Sequence, residues 1–169
     1  MTDDVMVAID AGLRQHIGGD RAGAYATFTT LWASIGPDGD PLHRVALAHH
    51  MADVCDDPAE ELEWDLRALA AADSLTDSRA QEYHSSLAVR GFYPSLHLNL
   101  GEDYRKLGDL AAAREQLALA RVRLDAVTSG ASPRAGGSAT RNPRKAALGD
   151  DDYAAGIRLA VEDLAGRLA

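Results

Sequence analysis

The sequence predicts an all-α protein, and three observations carry that prediction. Apolar residues make up 46% of the 169 residues and aromatics only 5%; much of the apolar content is alanine, the strongest helix former. Valine and isoleucine, which favour strands, are sparse. Asp-Pro, Gly-Asp and Gly-Pro pairs recur between stretches whose apolar residues repeat every three or four positions, the pattern of capped amphipathic helices.

Taken in order, Thr2 is placed to cap a first helix, with Asp3 and Asp4 in its first turn, where carboxylates suit the helix dipole. That helix carries Val5, Ile9, Leu13 and Ile17 at a spacing of four, and Gly18-Gly19 ends it. Asp20 caps a second helix with Ala24, Phe28, Leu31 and Trp32 on one face, stopped by Gly36-Pro37. Asp40-Pro41 starts a third, running to about Cys55. Asp57-Pro58 starts a fourth, with Glu60 three residues on in the manner of a capping box. It carries Leu62, Trp64, Leu66, Leu69 and Ala70 and fades near Asp73-Ser74. Thr76 caps a short helix through Tyr83 and Leu87, closed by Gly91. Pro94 opens a fifth main helix through Leu96, Leu100 and Tyr104, broken at Gly108-Asp109, and a sixth runs from Leu110 to Val127. Residues 128–149 hold glycine, serine, proline and arginine with almost no large apolar residue, the composition of a flexible linker. A last helix from about Asp150 carries Tyr153, Ile157, Val161, Leu164 and Leu168.

Helices of this length joined by tight turns call for a search for internal repeats. The clearest unit is PSLHLNLGEDYRKLGDLAAAREQLALAR, Pro94 to Arg121. In it Leu100-Gly101 precedes Tyr104, Gly108-Asp109, Ala113, Leu117 and Ala120. Small Gly101 and Ala113 suit a close helix crossing, Tyr104 and Leu117 fill the space beside it, and Gly108 permits the turn. Gly12, Gln15, Gly19-Asp20, Ala24 and Phe28 take the same places in a first unit, and Ala48, Met51, Cys55-Asp56, Glu60 and Trp64 in a second. The offsets are a uniform 36 from the first unit to the second and 53 from the second to the third.

These residues resemble the tetratricopeptide repeat, a helical repeat with a period of ~34 residues. The resemblance covers roughly 100 residues of the chain and is strongest in the third unit. It implies a right-handed α-solenoid of about three helix–turn–helix units, near 5–36, 41–74 and 94–127, with an insertion at 75–93. Helix 150–169 would then serve as the C-terminal cap.

The resemblance also implies a function. First helices of such units line a concave groove that takes an extended peptide or a partner helix. By position, the lining is Leu13 and His16, then His49 and Asp53, then Asn99, Glu102 and Lys106. Asn99 resembles the asparagine that often holds a peptide backbone in this family. Its counterparts are Asp10 and Ala46, so a two-asparagine clamp for a terminal carboxylate is absent. The expected activity is therefore non-catalytic binding of a protein or peptide, self-association included. The alternative is a regulatory or sensor domain for a small molecule or signalling peptide, as in some bacterial proteins of this helical class.

Charge and composition narrow the field further. Net charge is −9, which argues against nucleic acid as the main partner, since phosphate binding needs a cationic surface. Residues 128–148 alone carry +4, from Arg134, Arg141, Arg144 and Lys145, which leaves −13 on the rest. The acidic run Asp53, Asp56, Asp57, Glu60, Glu61, Glu63, Asp65 has no base within it and reads either as a solvated helix face or as a lure for a basic partner. The lone Cys55 excludes an intrachain disulfide, and the acidic start lacks the features of a secretory signal. No apolar run approaches the ~20 residues of a membrane span, so neither a membrane partner nor a location outside the cytoplasm is expected.

His49, His50 and Asp53 share one helix, and His97 and Glu102 lie on the matching helix of the third unit. Histidine with carboxylate suits zinc, but the spacing matches no familiar signature and no two histidines stand four apart. The expectation is no metal, no cofactor and no catalytic residue, with His50 and His97 as hydrogen-bonded core residues and His49 in the groove. No nucleophile motif or phosphate loop is present.

Overall fold

The computed structural model describes residues 3–83, 88–129 and 151–169, and among them every regular element is helical. The elements are α1 (Asp4–Ile17), α2 (Arg21–Ile35), α3 (Pro41–Ala52), α4 (Pro58–Ser74), α5 (Asp77–Tyr83), a 3-10 turn (Val89–Gly91), α6 (Tyr93–Lys106), α7 (Leu110–Ser129) and α8 (Asp151–Arg167). The all-α expectation holds. None of these helices is long and apolar enough to cross a membrane.

Aspartates start most of the helices. Asp20 accepts from the Gly23 amide at 2.9 Å, Asp40 from Leu42 at 2.9 Å, Asp57 from Ala59 at 3.0 Å and Asp109 from Ala112 at 3.0 Å. Each such cap is worth ~1 kcal/mol. The first cap is Asp3, which accepts from Met6 at 3.1 Å, rather than Thr2, which lies outside the described residues. The capping box at Asp57 is half formed: the Glu60 carboxylate accepts from the Tyr25 hydroxyl at 2.7 Å. The third helix stops at Ala52, leaving Cys55 buried in the following turn. Thr76 does cap α5, which ends at Tyr83, with Leu87 outside the described residues. Helix α7 runs past Val127 to Ser129, and the rest of the linker, 130–150, is also outside them.

Consecutive helices pack in pairs, α1 on α2, α3 on α4 and α6 on α7; α2 also meets α3, α4 meets α6, and α8 lies on α7 and α6. The first and third pairs turn identically. Gly18 N bonds Arg14 O, Gly19 N bonds His16 O and Asp20 N bonds Gln15 O; Leu107 N, Gly108 N and Asp109 N bond Asp103 O, Arg105 O and Tyr104 O in the same order. This is the Schellman pattern, which requires a left-handed residue. Gly19 (φ 91) and Gly108 (φ 83) supply it.

The middle pair turns differently. Asp53–Asp57 is a five-residue connection with no left-handed glycine. Its carbonyls at Val54 (2.9 Å) and Cys55 accept instead from the Arg21 guanidinium of α2. The spacing of 53 equates Glu60 and Trp64 with Ala113 and Leu117. Trp64 and Ala71 are buried, but so are Asp65, Ala68 and Ala72, which a spacing of 52 sets against Leu117, Ala120 and Leu124; α4 buries a broader face than α7. Leu66, expected on the core face, is 41% exposed. Ile17 likewise falls outside the α1 stripe, where Met6, Ile9 and Gly12 are the buried residues.

Most of the core lies between α1 and α4 and reaches Leu96 of α6, with Phe28, Leu42, Leu47 and Met51 fully enclosed. Trp32 and Trp64 meet edge to face at 5.0 Å. A second core joins Ala113, Leu117 and Ala120 of α7 to Val161, Leu164 and Leu168 on the expected face of α8. Gly101 sits where α6, α7 and α8 converge: a Cβ there would stand 3.0 Å from the Leu164 side chain and 3.4 Å from the Ala113 carbonyl.

Candidate functional site

The groove residues inferred from the sequence divide into two groups. His49 on α3 and Asn99 on α6 meet, the imidazole Nδ1 lying 3.2 Å from the amide Nδ2. The same amide nitrogen is 3.5 Å from Asp65 Oδ1 on α4, so one side chain ties three helices. Asp53, at the end of α3, has His50 Nδ1 3.7 Å from its Oδ2 and stands within the electrostatic reach of His49 and of His16 on α1. Leu13, one turn before His16, is half-buried. These residues come from the first helices of all three pairs.

Glu102 and Lys106 lie apart from that group. Glu102 is clamped by Arg105 at 2.8 and 3.0 Å and by Arg167 of α8 at 2.9 Å. The Arg105 hydrogen bond and the Arg167 charge hold its carboxyl below the ordinary glutamate value. Lys106 donates to both oxygens of Glu61 at 2.7 Å, locking α6 to the start of α4.

Beneath Asn99 lies a feature absent from the sequence reading. Asp65 and Asp103 are each 1% exposed and stand near enough across the α4–α6 contact for each carboxyl to act on the other. Both Asp103 oxygens are buried without a hydrogen-bond partner, and two carboxyls buried this close resist ionising together. Burial and the adjacent Asp103 push Asp65 up to about 9. Burial and Glu61 raise Asp103, while Asp65 and the Lys106 charge pull it back. Both carboxyls are thus raised, and the pair resists losing both protons. Asn99 completes the unit in either orientation of its amide: the nitrogen donates to Asp65 and His49, or the oxygen accepts the His49 Nδ1–H. A signal for the pair existed in the sequence, because Asp103 continues the buried stripe Leu96–Leu100 and Asp65 precedes Ala68 and Ala72 on the same face.

The histidines behave differently from one another. His97 is buried and bonds Gln116 at 2.8 Å, as expected of a core histidine. His50 stacks on Phe28 at 6.2 Å, but its Nδ1 is buried with no hydrogen-bond partner, and so is His16 Nδ1. Burial lowers the His49 imidazole from its ordinary value against the opposing pull of Asp53. The same histidines hold the Asp53 carboxyl down, although its own burial acts to raise it. Beside this cluster an open concavity of about 360 Å3, lined in part by Arg21, Asp53, Asp56, Glu61 and Lys106, gives Asp53 a way to solvent.

No known protein family, curated protein or solved structure matches this chain. What fold and site define together is a class: an all-helical protein of packed helix pairs, with two buried carboxyls, Asp65 and Asp103, below an imidazole-rich rim.

Proposed function

We propose that this chain is a non-catalytic interaction module, a tetratricopeptide-like right-handed solenoid of three helix pairs that binds a peptide or partner helix along its first helices in the cytoplasm. The observation that carries the reading is the convergence of His16, His49, Asp53 and Asn99, drawn from α1, α3 and α6, on one polar surface. The identical turns of the first and third pairs support a repeat origin for that surface. In the adjoining concavity Asp56 is paired with Arg21 and Glu61 with Lys106, so Asp53 is the carboxylate offered to a basic group of the bound segment. Asn99 has its amide engaged within the fold, so its role is to hold His49 in place while His49 and Asp53 make the contacts.

A random-peptide display selection against the intact protein, followed by calorimetric titration of the recovered peptides, tests the reading. Enrichment of lysine- and arginine-containing sequences that lose affinity for Asp53→Ala and His49→Ala supports it. Selected peptides that bind both variants as tightly as the parent protein overturn it.

A further inference from the structure

We propose that His49, His50 and Asp53 form a binding site for a divalent transition-metal ion of the zinc class. One ligand atom from each residue lies within 4.8 Å of the other two. The 3.7 Å between His50 Nδ1 and Asp53 Oδ2 is too long for a hydrogen bond. It is close to the spacing an ion imposes, since two ligands at about 2.0–2.1 Å from a tetrahedral zinc stand ~3.3 Å apart. Buried imidazole nitrogens normally find a partner. His50 Nδ1 has none in the protein, and a metal bond would satisfy it.

The surroundings fit the same ligand. His49 is fixed from behind, with Nδ1 held by Asn99 and 4.0 Å from Asp65. A metal-bound histidine usually donates its other ring N–H to an amide oxygen or carboxyl; with the Asn99 amide turned to present its oxygen to the His49 Nδ1–H, the Nε2 lone pair is left for the ion. His50 is held by its stacking on Phe28. Two imidazoles and one carboxylate select zinc and its transition-metal neighbours over magnesium or calcium, which take oxygen ligands. Three protein ligands leave a coordination position open, and the 47% exposure of the Asp53 side chain puts that position within reach of solvent. His16 of α1, near enough to act on the Asp53 charge and with its own Nδ1 unpartnered, stands beside the cluster as a further imidazole. All three ligands come from the end of one helix, so closing from 4.8 Å to bonding distance takes side-chain rotation rather than movement of helices.

This inference does not depend on peptide binding, and its test uses no peptide. The untagged full chain, freed of metal with a chelator, is titrated with zinc by calorimetry and with cobalt(II) by visible absorption. The expected result is one ion per chain and a cobalt spectrum of four- or five-coordinate type. Asp53→Asn and His49→Gln should each weaken zinc binding at least ~10-fold, and Asn99→Ala, acting through His49, about 10–100-fold. Circular dichroism checks that each variant folds. His97→Gln, a histidine already bonded to Gln116, should bind zinc as the parent does. No stoichiometric uptake by the parent chain at micromolar concentrations overturns the proposal. Undiminished uptake by folded Asp53→Asn and His49→Gln overturns it equally.

Discussion

In the first and third helix pairs the chain reverses in three residues, with a glycine in the left-handed region and the same three backbone hydrogen bonds. In the middle pair it takes five residues, uses no such glycine, and has its turn carbonyls satisfied by Arg21 from the pair before. The difference extends to composition. The outer pairs bury alanine, leucine and phenylalanine at equivalent positions, whereas the middle pair buries Asp65 where α7 has Leu117. Three of the four histidine and carboxylate groups at the polar rim, His49, His50 and Asp53, also belong to the middle pair. Identical outer pairs serve as scaffold. The irregular one holds the buried Asp65 and the residues of the proposed site.

The largest effect that would sharpen this contrast is in the outer cores. Phe28→Ala removes a fully enclosed ring and should cost ~3–5 kcal/mol, and Leu117→Ala, its counterpart in the third pair, ~2–5 kcal/mol, both measured by denaturant unfolding. If either loss falls below ~1 kcal/mol, the equivalence of the outer pairs as scaffold is broken.

A smaller effect separates two glycines that hold the same position. A Cβ at Gly12 would meet the Phe28 ring at 2.4 Å, while at Gly101 the one approach closer than ordinary contact is 3.0 Å, to the movable end of Leu164. Gly12→Ala should therefore destabilise by ~1–3 kcal/mol through overpacking. Gly101→Ala should be near neutral, because the helix-propensity gain of up to ~1 kcal/mol offsets the squeeze. Gly101→Leu drives the larger side chain into α7 and α8 and should cost ~1–3 kcal/mol. A melting curve for Gly101→Leu that overlays the parent's would show that the three-helix crossing is misplaced.

The sequence made the scaffold legible because its signals are local. An aspartate cap, an Asp-Pro start or a Gly-Asp stop depends on a few neighbouring residues, and the starts at Asp20, Asp40 and Asp57 stand where those signals put them. The form of the middle turn was not legible, since it depends on Arg21 reaching carbonyls more than thirty positions away. Trp64 and Asp65 are adjacent and both buried, so α4 faces the core over a broader stripe than the repeat spacing implies. The site is legible in part. Repeat position places His49, Asp53 and Asn99 on the first helices, where His49 and Asn99 meet, whereas nothing local sets Asp65 apart from the acidic run around it. What surrounds Asp65, namely Asn99 and Asp103, lies on another helix. Glu102 and Lys106 looked equivalent to Asn99 along the helix; Arg167 and Glu61 engage them from outside it.

The raised Asp65 carboxyl also sets how stability responds to pH. Asp65 has a raised pKa in the folded chain, so it binds its proton more tightly there than when unfolded. Its contribution is complete below the unfolded carboxylate range near pH ~4 and is lost as pH rises toward about 9. His49, lowered by burial, acts in the opposite sense, but only below its unfolded value near pH ~6.5. Above pH ~7 the carboxyl pair therefore governs this part of the profile.

The most direct test of the raised carboxyl buried between the second and third pairs is a carbon-13 NMR titration of the aspartate side-chain carboxyls, assigned through Asp65→Asn and Asp103→Asn. The account predicts that the Asp65 signal keeps its protonated position through neutral pH and moves only as pH approaches about 9. An Asp65 signal that titrates in the ordinary aspartate range near pH ~4 would contradict it.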